Sequence, residues 1–269
     1  MASSPRFDAE HPFHWSHGAQ DGPLLLCLHG IGSTADAFVA QRSLAQRCGR
    51  HVVAWDAPGY GRSADPAEPL TLDGWADAAA GLIRSLGYDR AVVIGVSWGG
   101  VTATRLTLRH PGLVEALILA DSSVGSGTTP DQASAMLSRA EGFAAMGVEE
   151  FAANRAPLLV SPSASPEVVE EARRLLVEGM RMPSYGWACA SMAEADHRRD
   201  LPTITIPTLV VVGEDDTVTG VAAAKVLADG IPGARMATIA GAGHLANQEK
   251  PEIFNDLVAD FLDSLGDQS

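Results

Sequence analysis

Three side chains able to cooperate in acyl transfer stand in the order Ser97, Asp216, His244, each shortly after an apolar run. Ser97 occupies the centre of Gly95-Val96-Ser97-Trp98-Gly99, a G-x-S-x-G sequence that follows Ala91-Val92-Val93-Ile94 and precedes a helical pattern over 101–110. In a strand-turn-helix setting the two glycines remove Cβ atoms that would clash on a tight bend, and the serine hydroxyl is pushed outward. A serine does not attack a carbonyl unaided at neutral pH; it needs a histidine base, and the base needs an acid to orient it. His244 lies in the glycine-rich turn Gly241-Ala242-Gly243-His244-Leu245, after the strand-like stretch Arg235–Ile239. Asp216 ends a loop crowded with carboxylates that follows Leu209-Val210-Val211-Val212-Gly213.

Taken singly, each element has a plain structural explanation. G-x-S-x-G recurs by chance in a chain with 27 glycines. A histidine in a glycine turn is commonly a loop residue, and aspartates after a strand commonly form caps or turns. Joint occurrence in this order, each at the C-terminal end of a predicted strand, favours the catalytic reading, because the reacting groups of open α/β sheets collect at that edge.

The elements that would position these residues alternate between strand and helix, which predicts an α/β fold with a mostly parallel sheet covered on both faces. Leu24–Leu28 is the first clear strand, ending in His29-Gly30-Ile31-Gly32-Ser33, and His51–Trp55 is the next, ending in Asp56-Ala57-Pro58-Gly59-Tyr60-Gly61-Arg62-Ser63. Helical spacing over 71–86 precedes the Ser97 strand, and a further strand over 116–120 ends in Asp121-Ser122-Ser123. From 124 to 201 the alternation stops: helical segments at 131–146, 148–159, 166–182 and 185–196 are punctuated by proline and glycine, and strand pattern resumes at Pro207. A parallel crossover needs only one helix, so an all-helical insertion of this length predicts a lid over the active edge. The expected division is a core of 1–123 and 202–269 with a helical cap of 124–201.

Composition narrows the function classes. A chain of 269 residues with 46% apolar content supports a sizeable core. No uncharged apolar run reaches membrane-spanning length, and residues 1–10 lack a signal-peptide pattern. The formal net charge of −14 argues against nucleic acid or an anionic membrane as partner, and its expected role is solubility. Cys27, Cys48 and Cys189 are odd in number and set in apolar contexts, which predicts free thiols in a reducing cytoplasm. The histidines lack H-E-x-x-H spacing and the cysteines lack C-x-x-C spacing; His11, His14 and His17 surround Pro12 and Gly18, which spoil a helix. Neither a metal nor an organic cofactor is expected.

The chain resembles the α/β-hydrolase superfamily over nearly its whole length. The resemblance is carried by the early His29-Gly30, the D-x-P-G-x-G-x-S loop at 56–63, the G-x-S-x-G, the Gly213-to-Asp216 loop, the late Gly243-His244 and the order Ser, Asp, His. Within the superfamily it is most similar to 3-oxoadipate enol-lactonase-like esterases and lactonases, through Gly243-His244-Leu245-Ala246-Asn247-Gln248-Glu249-Lys250-Pro251-Glu252-Ile253-Phe254 and the end of the cap at 189–196. The resemblance implies Ser97 as nucleophile, His244 as base and Asp216, rather than its neighbour Asp215, as orienting acid. It implies an oxyanion hole from the backbone N–H groups of Ile31 and Trp98. It further implies an acyl-enzyme and a small ester or lactone substrate, of the kind met in aromatic-compound catabolism.

Departures from the family bear on substrate. Trp98 is bulkier than the residue usual after the serine. Proline iminopeptidases share that Trp, but their H-G-G-P-G loop is missing here. Carbon–carbon hydrolases tend to carry Asn before the serine and Trp after the histidine, where this chain has Val96 and Leu245. An ester or lactone is therefore preferred over carbon–carbon or amide cleavage. Outside the enzymes, a small-molecule-binding receptor or partner protein on the same fold is the alternative. Ser33, Tyr185 and Trp187 are the expected pocket residues. The cap arginines Arg139, Arg155, Arg173, Arg174, Arg181, Arg198 and Arg199 include candidates to clamp a substrate carboxylate.

Overall fold

The computed structural model describes residues 12–266. The N-terminal segment in which no signal pattern was found, and His11, lie outside them.

Among the described residues seven strands form one sheet in the order β1-β3-β2-β4-β5-β6-β7. They are β1 (His14–His17), β2 (Leu24–Leu28), β3 (His51–Trp55), β4 (Ala91–Val96), β5 (Val114–Ala120), β6 (Thr208–Gly213) and β7 (Arg235–Ile239). All neighbours are parallel except β1, which runs antiparallel to β3 with His14 opposite Trp55. β2, β3, β4 and β6 are buried along their whole length and β5 everywhere but at Glu115, as near-continuous Val, Ile and Leu runs require of a sheet covered on both faces.

Side-chain alternation along each strand divides the core in two. Leu24, Leu26, Leu28, Val93, Leu117 and Val210 face one layer, built from α2 (Leu72–Ser85), α3 (Trp98–Arg109) and α8 (Gly220–Gly230). Leu25, Cys27, Val92, Ile94, Ile118 and Val211 face the other, which holds the 3-10 helix Ala35–Arg42, α1 (Ser43–Cys48), α9 (Ala246–Glu249) and α10 (Pro251–Gly266). The Thr71 hydroxyl caps α2 by accepting from the Gly74 N–H, and Gly49 ends α1 in the left-handed conformation that glycine adopts without strain.

Between β5 and β6 lie α4 (Pro130–Met146), α5 (Val148–Arg155), α6 (Pro166–Gly179) and α7 (Ser184–Glu194), joined by turns and short 3-10 segments. No strand occurs between β5 and β6. These helices have their own apolar cluster, in which Phe143, Phe151 and Tyr185 pack ring on ring at 5.0 to 5.8 Å. Thr129 caps α4, and Pro130 occupies its first turn, where a missing N–H costs nothing. The expected helix over 166–182 is shorter than its pattern: α6 stops at Gly179, and Met180 is already extended.

Because the inner strands are parallel, their C-terminal ends share one edge. The chain leaves β2 toward β3 on one side, while β4 lies on the other, so a topological switch falls between β2 and β4. Such a switch opens a crevice beyond the strand ends. His29 follows β2 and Ser97 follows β4 directly, so both stand at that crevice.

Candidate active site

Ser97 sits between β4 and α3 with φ of 53° and ψ of −118°. A positive φ costs a residue with a Cβ about 1–3 kcal/mol and persists only where the surroundings over-determine it. Here the Ser97 N–H donates to the Ala120 carbonyl at 2.9 Å, and the Ser122 hydroxyl donates to the Ser97 carbonyl at 2.8 Å. The flanking glycines permit the bend by their lack of a side chain. A Cβ on Gly95 would stand 2.4 Å from the Gly99 carbonyl oxygen, and one on Gly99 would stand 2.0 Å from that of Leu28.

The other two predicted residues converge on this hydroxyl. His244 Nδ1 lies 3.0 Å from Asp216 Oδ2 and 3.1 Å from Oδ1, and His244 Nε2 lies 2.9 Å from Ser97 Oγ. An ionised carboxylate only accepts, so the imidazole proton belongs on Nδ1, and Nε2 is left to accept from the serine. Burial acts to raise the Asp216 pKa, but it is outweighed by the hydrogen bond and charge of His244 and by bonds from Thr219 and the Val218 N–H. The carboxyl is held well below the usual range. Thr219 Oγ1 donates to Asp216 Oδ2 at 2.5 Å, and the Val218 N–H donates to Oδ1 at 2.8 Å. Asp215, the neighbour, is engaged elsewhere: it accepts from the Ser161 hydroxyl at 2.7 Å.

The loop after β2 lies against the serine. A Cβ on Gly30 would stand 3.4 Å from Ser97 Cβ, and Ile31, the next residue, lines the same cavity as Ser97. His29 anchors this loop: its Nε2 accepts from the Ala57 N–H at 3.0 Å, which leaves Nδ1–H to donate to the Gly30 carbonyl at 2.9 Å. Burial keeps its imidazole below the usual histidine range, against the Gly30 bond and the Asp56 charge, so the ring is neutral. Asp56 braces the neighbouring turn, accepting from the Ala35 N–H and from Arg62. Trp98 opens α3, where a backbone N–H has no intrahelical acceptor. Its ring is buried against Trp75, Tyr60 and His29, and its indole N–H donates to Ser191 of α7 at 3.2 Å.

Two cavities meet at Ser97. The inner one is lined by Ser33, Phe38, Leu175, Tyr185 and His244, and the outer by Ser126, Gln132, Met136 and Thr217. Ile31, Ser97, Arg139, Arg155 and Val218 border both. Ser33 and Tyr185 line the inner cavity. Trp187 lines neither; it is half-buried and packs on the core layer that contains Trp98 and Met192. Tyr185 and Trp187 are two residues apart on one helix, which turns them about 200° from each other.

Two carboxylates that the sequence reading did not single out hold the loops. Asp121, at φ of 45° after β5, accepts from the Gly213 N–H at 2.9 Å and from the Ala246 N–H at 3.0 Å. Glu249 accepts from the Gly243 N–H at 2.7 Å and from the Ser161 N–H at 2.8 Å, joining the histidine loop to the helical segment. An acid directly after a strand at this edge was the available signal for Asp121. Among the described residues no group of three or more His, Cys, Asp and Glu is arranged to hold a metal ion.

Residues 25–257 match the family model described as the alpha/beta hydrolase family, and the chain belongs to that family. It is 29% identical over 245 residues to 3-oxoadipate enol-lactonase 2 of Acinetobacter baylyi, covering 90% of this chain and 89% of the relative. It is also 29% identical over 267 residues to a 2-hydroxy-6-oxononadienedioate/2-hydroxy-6-oxononatrienedioate hydrolase of Pseudomonas sp., covering 93% and 91%. Among solved structures, a hydrolase from Pseudomonas aeruginosa superposes with a TM-score of 0.84 at 32% identity, covering 93% of each chain. The protein is a hydrolase.

Proposed function

We propose that this hydrolase cleaves a carboxylic ester or lactone of a small molecule through Ser97, His244 and Asp216 and an acyl-enzyme. The observation that carries the reading is the hydrogen-bond chain from Ser97 Oγ through His244 to Asp216, at 2.9 and 3.0 Å, opening on a lined cavity. In this reading His244 Nε2 takes the Ser97 proton as Oγ attacks the carbonyl carbon. The Ile31 and Trp98 N–H groups stabilise the oxyanion, and such a donor is worth roughly 3 kcal/mol in the transition state. The imidazolium then protonates the leaving alcohol or enol, and water repeats the cycle to release the acid.

The helices of 124–201 act as the cap over a core formed by the described residues of 1–123 and 202–269, supplying Arg139, Arg155 and Tyr185 to the cavity wall. The likeness to an enol-lactonase supports a lactone, and Val96 and Leu245 support an ester or lactone over carbon–carbon cleavage. Three unpaired cysteines support a reducing, cytoplasmic setting. No described helix is long and apolar enough to cross a membrane.

A panel of five- and six-membered lactones and short-chain esters tests the reading. Acid release by the wild type that is lost with Ser97→Ala is expected. Turnover that persists in Ser97→Ala, or saturable binding of every compound with hydrolysis of none, contradicts it.

A further inference from the structure

Six of the cap arginines fall into two groups once their partners are known; the seventh, Arg199, is exposed and borders neither cavity at Ser97. Arg173 pairs with Glu149 and Glu170, Arg174 with Glu171 and Glu178, Arg181 with Asp65, and Arg198 with Asp196. Arg139 and Arg155 pair with no carboxylate among the described residues, in a chain whose acids outnumber its basic residues 33 to 19. Both border the two cavities that meet at Ser97.

Their environment is unfavourable for cations left alone. The Nε–H of each is buried without an acceptor. Arg139 reaches only the Met136 sulfur at 3.5 Å and the Tyr185 hydroxyl at 3.4 Å, both weak contacts. Burial, and then the like charge of Arg139, bring the Arg155 guanidinium down to about 10, against the opposing pull of Tyr185 and Asp216. Removing charge from water without an opposite charge is strongly destabilising, and two guanidiniums facing one cavity add mutual repulsion. A ligand anion between them relieves both costs. Guanidiniums suit a carboxylate because their paired N–H groups match its two oxygens.

We infer that Arg139 and Arg155 form a carboxylate-recognition site in the candidate active-site cavity, so that the substrate is an ester or lactone that also carries a free acid. This inference rests on the serine-hydrolase reading for its substrate class, while the binding of an anion can be measured without turnover.

The test compares 4-nitrophenyl hydrogen adipate, which carries the free acid, with its neutral methyl ester. Wild type should favour the acid by about ten-fold or more in kcat/KM, the size of one or two charge-assisted hydrogen bonds. The ratio should fall to about one in Arg139→Gln/Arg155→Gln and stay at the wild-type value in Arg173→Gln, a control that is paired with Glu149 and Glu170 and borders neither cavity. A wild-type ratio near one, or a ratio that survives in the double variant, overturns the inference. In a second arm, adipate should raise the Tm of Ser97→Ala but not that of Ser97→Ala/Arg139→Gln/Arg155→Gln. Equal shifts, or none in either, also overturn it. Hydrolysis of neither ester, with adipate still stabilising only the arginine-bearing protein, contradicts the hydrolase chemistry and supports the anion site.

Discussion

Asp121 Oδ2 accepts a hydrogen bond from the Ala246 N–H at 3.0 Å, two residues beyond His244, while its other oxygen accepts from the Gly213 N–H at the start of the Asp216 loop. One carboxylate thereby ties together the two loops that must bring acid and base into register. Asp121→Ala leaves two buried donors unsatisfied, at about 1–3 kcal/mol each. The expected result is a large loss of stability in urea and a fall in kcat exceeding any change in KM.

Asp121→Asn removes the titrating group together with one of its two acceptors, so the pH dependence of the stability difference, rather than its size, reports the charge. Burial pushes the Asp121 carboxyl up to about 7, with Asp216 adding to the rise and His244 and the two N–H donors opposing it. A carboxyl raised on folding contributes stability that is complete below its unfolded pKa, about 3.9, and is lost as pH rises through the folded value. The wild type should therefore lose unfolding free energy relative to Asp121→Asn between about pH 4 and pH 7, and the difference should level off above that. A difference that stays flat across that window would remove this assignment.

Asp216 has the opposite sign. Its carboxyl is depressed, so its contribution is present above about pH 3.9 and is lost as pH falls further. The stability gap between wild type and Asp216→Asn should close in acid, as seen by denaturation at pH 3 and pH 6. At neutral pH the Asn variant no longer enforces the Nδ1 proton, and kcat should drop by about 10,000-fold.

Trp187→Ala should lower Tm while leaving KM close to the wild-type value, because the ring packs on the core and borders neither cavity at Ser97. A half-buried aromatic gives up less than the roughly 3–5 kcal/mol of a fully buried one. A changed substrate preference with an intact Tm would return Trp187 to the pocket.

The sequence exposed those features whose signal is local. Ser97, Asp216 and His244 each sit in a short glycine-marked loop after an apolar strand, and the structure brings the three within hydrogen-bond reach. The α4 to α7 helices were visible through their proline and glycine boundaries. β1 escaped because four residues, His-Trp-Ser-His, carry no apolar alternation, and its pairing with β3 is a tertiary event. Composition says that α7 bears aromatics but not which face each occupies, and the fold turns Tyr185 to the cavity and Trp187 to the core layer. Nothing in the chain order separates Arg139 and Arg155 from the other cap arginines. That distinction depends on which acids fold against the others and on which guanidiniums are turned into the cavity.

The central claim is that Ser97 is an activated nucleophile, and covalent labelling addresses it without knowledge of the substrate. Wild type and Ser97→Ala would be treated with a small fluorophosphonate and weighed intact. The account predicts a single adduct on the wild type and none on Ser97→Ala. An unlabelled but folded wild type, or the same adduct on Ser97→Ala, would contradict it.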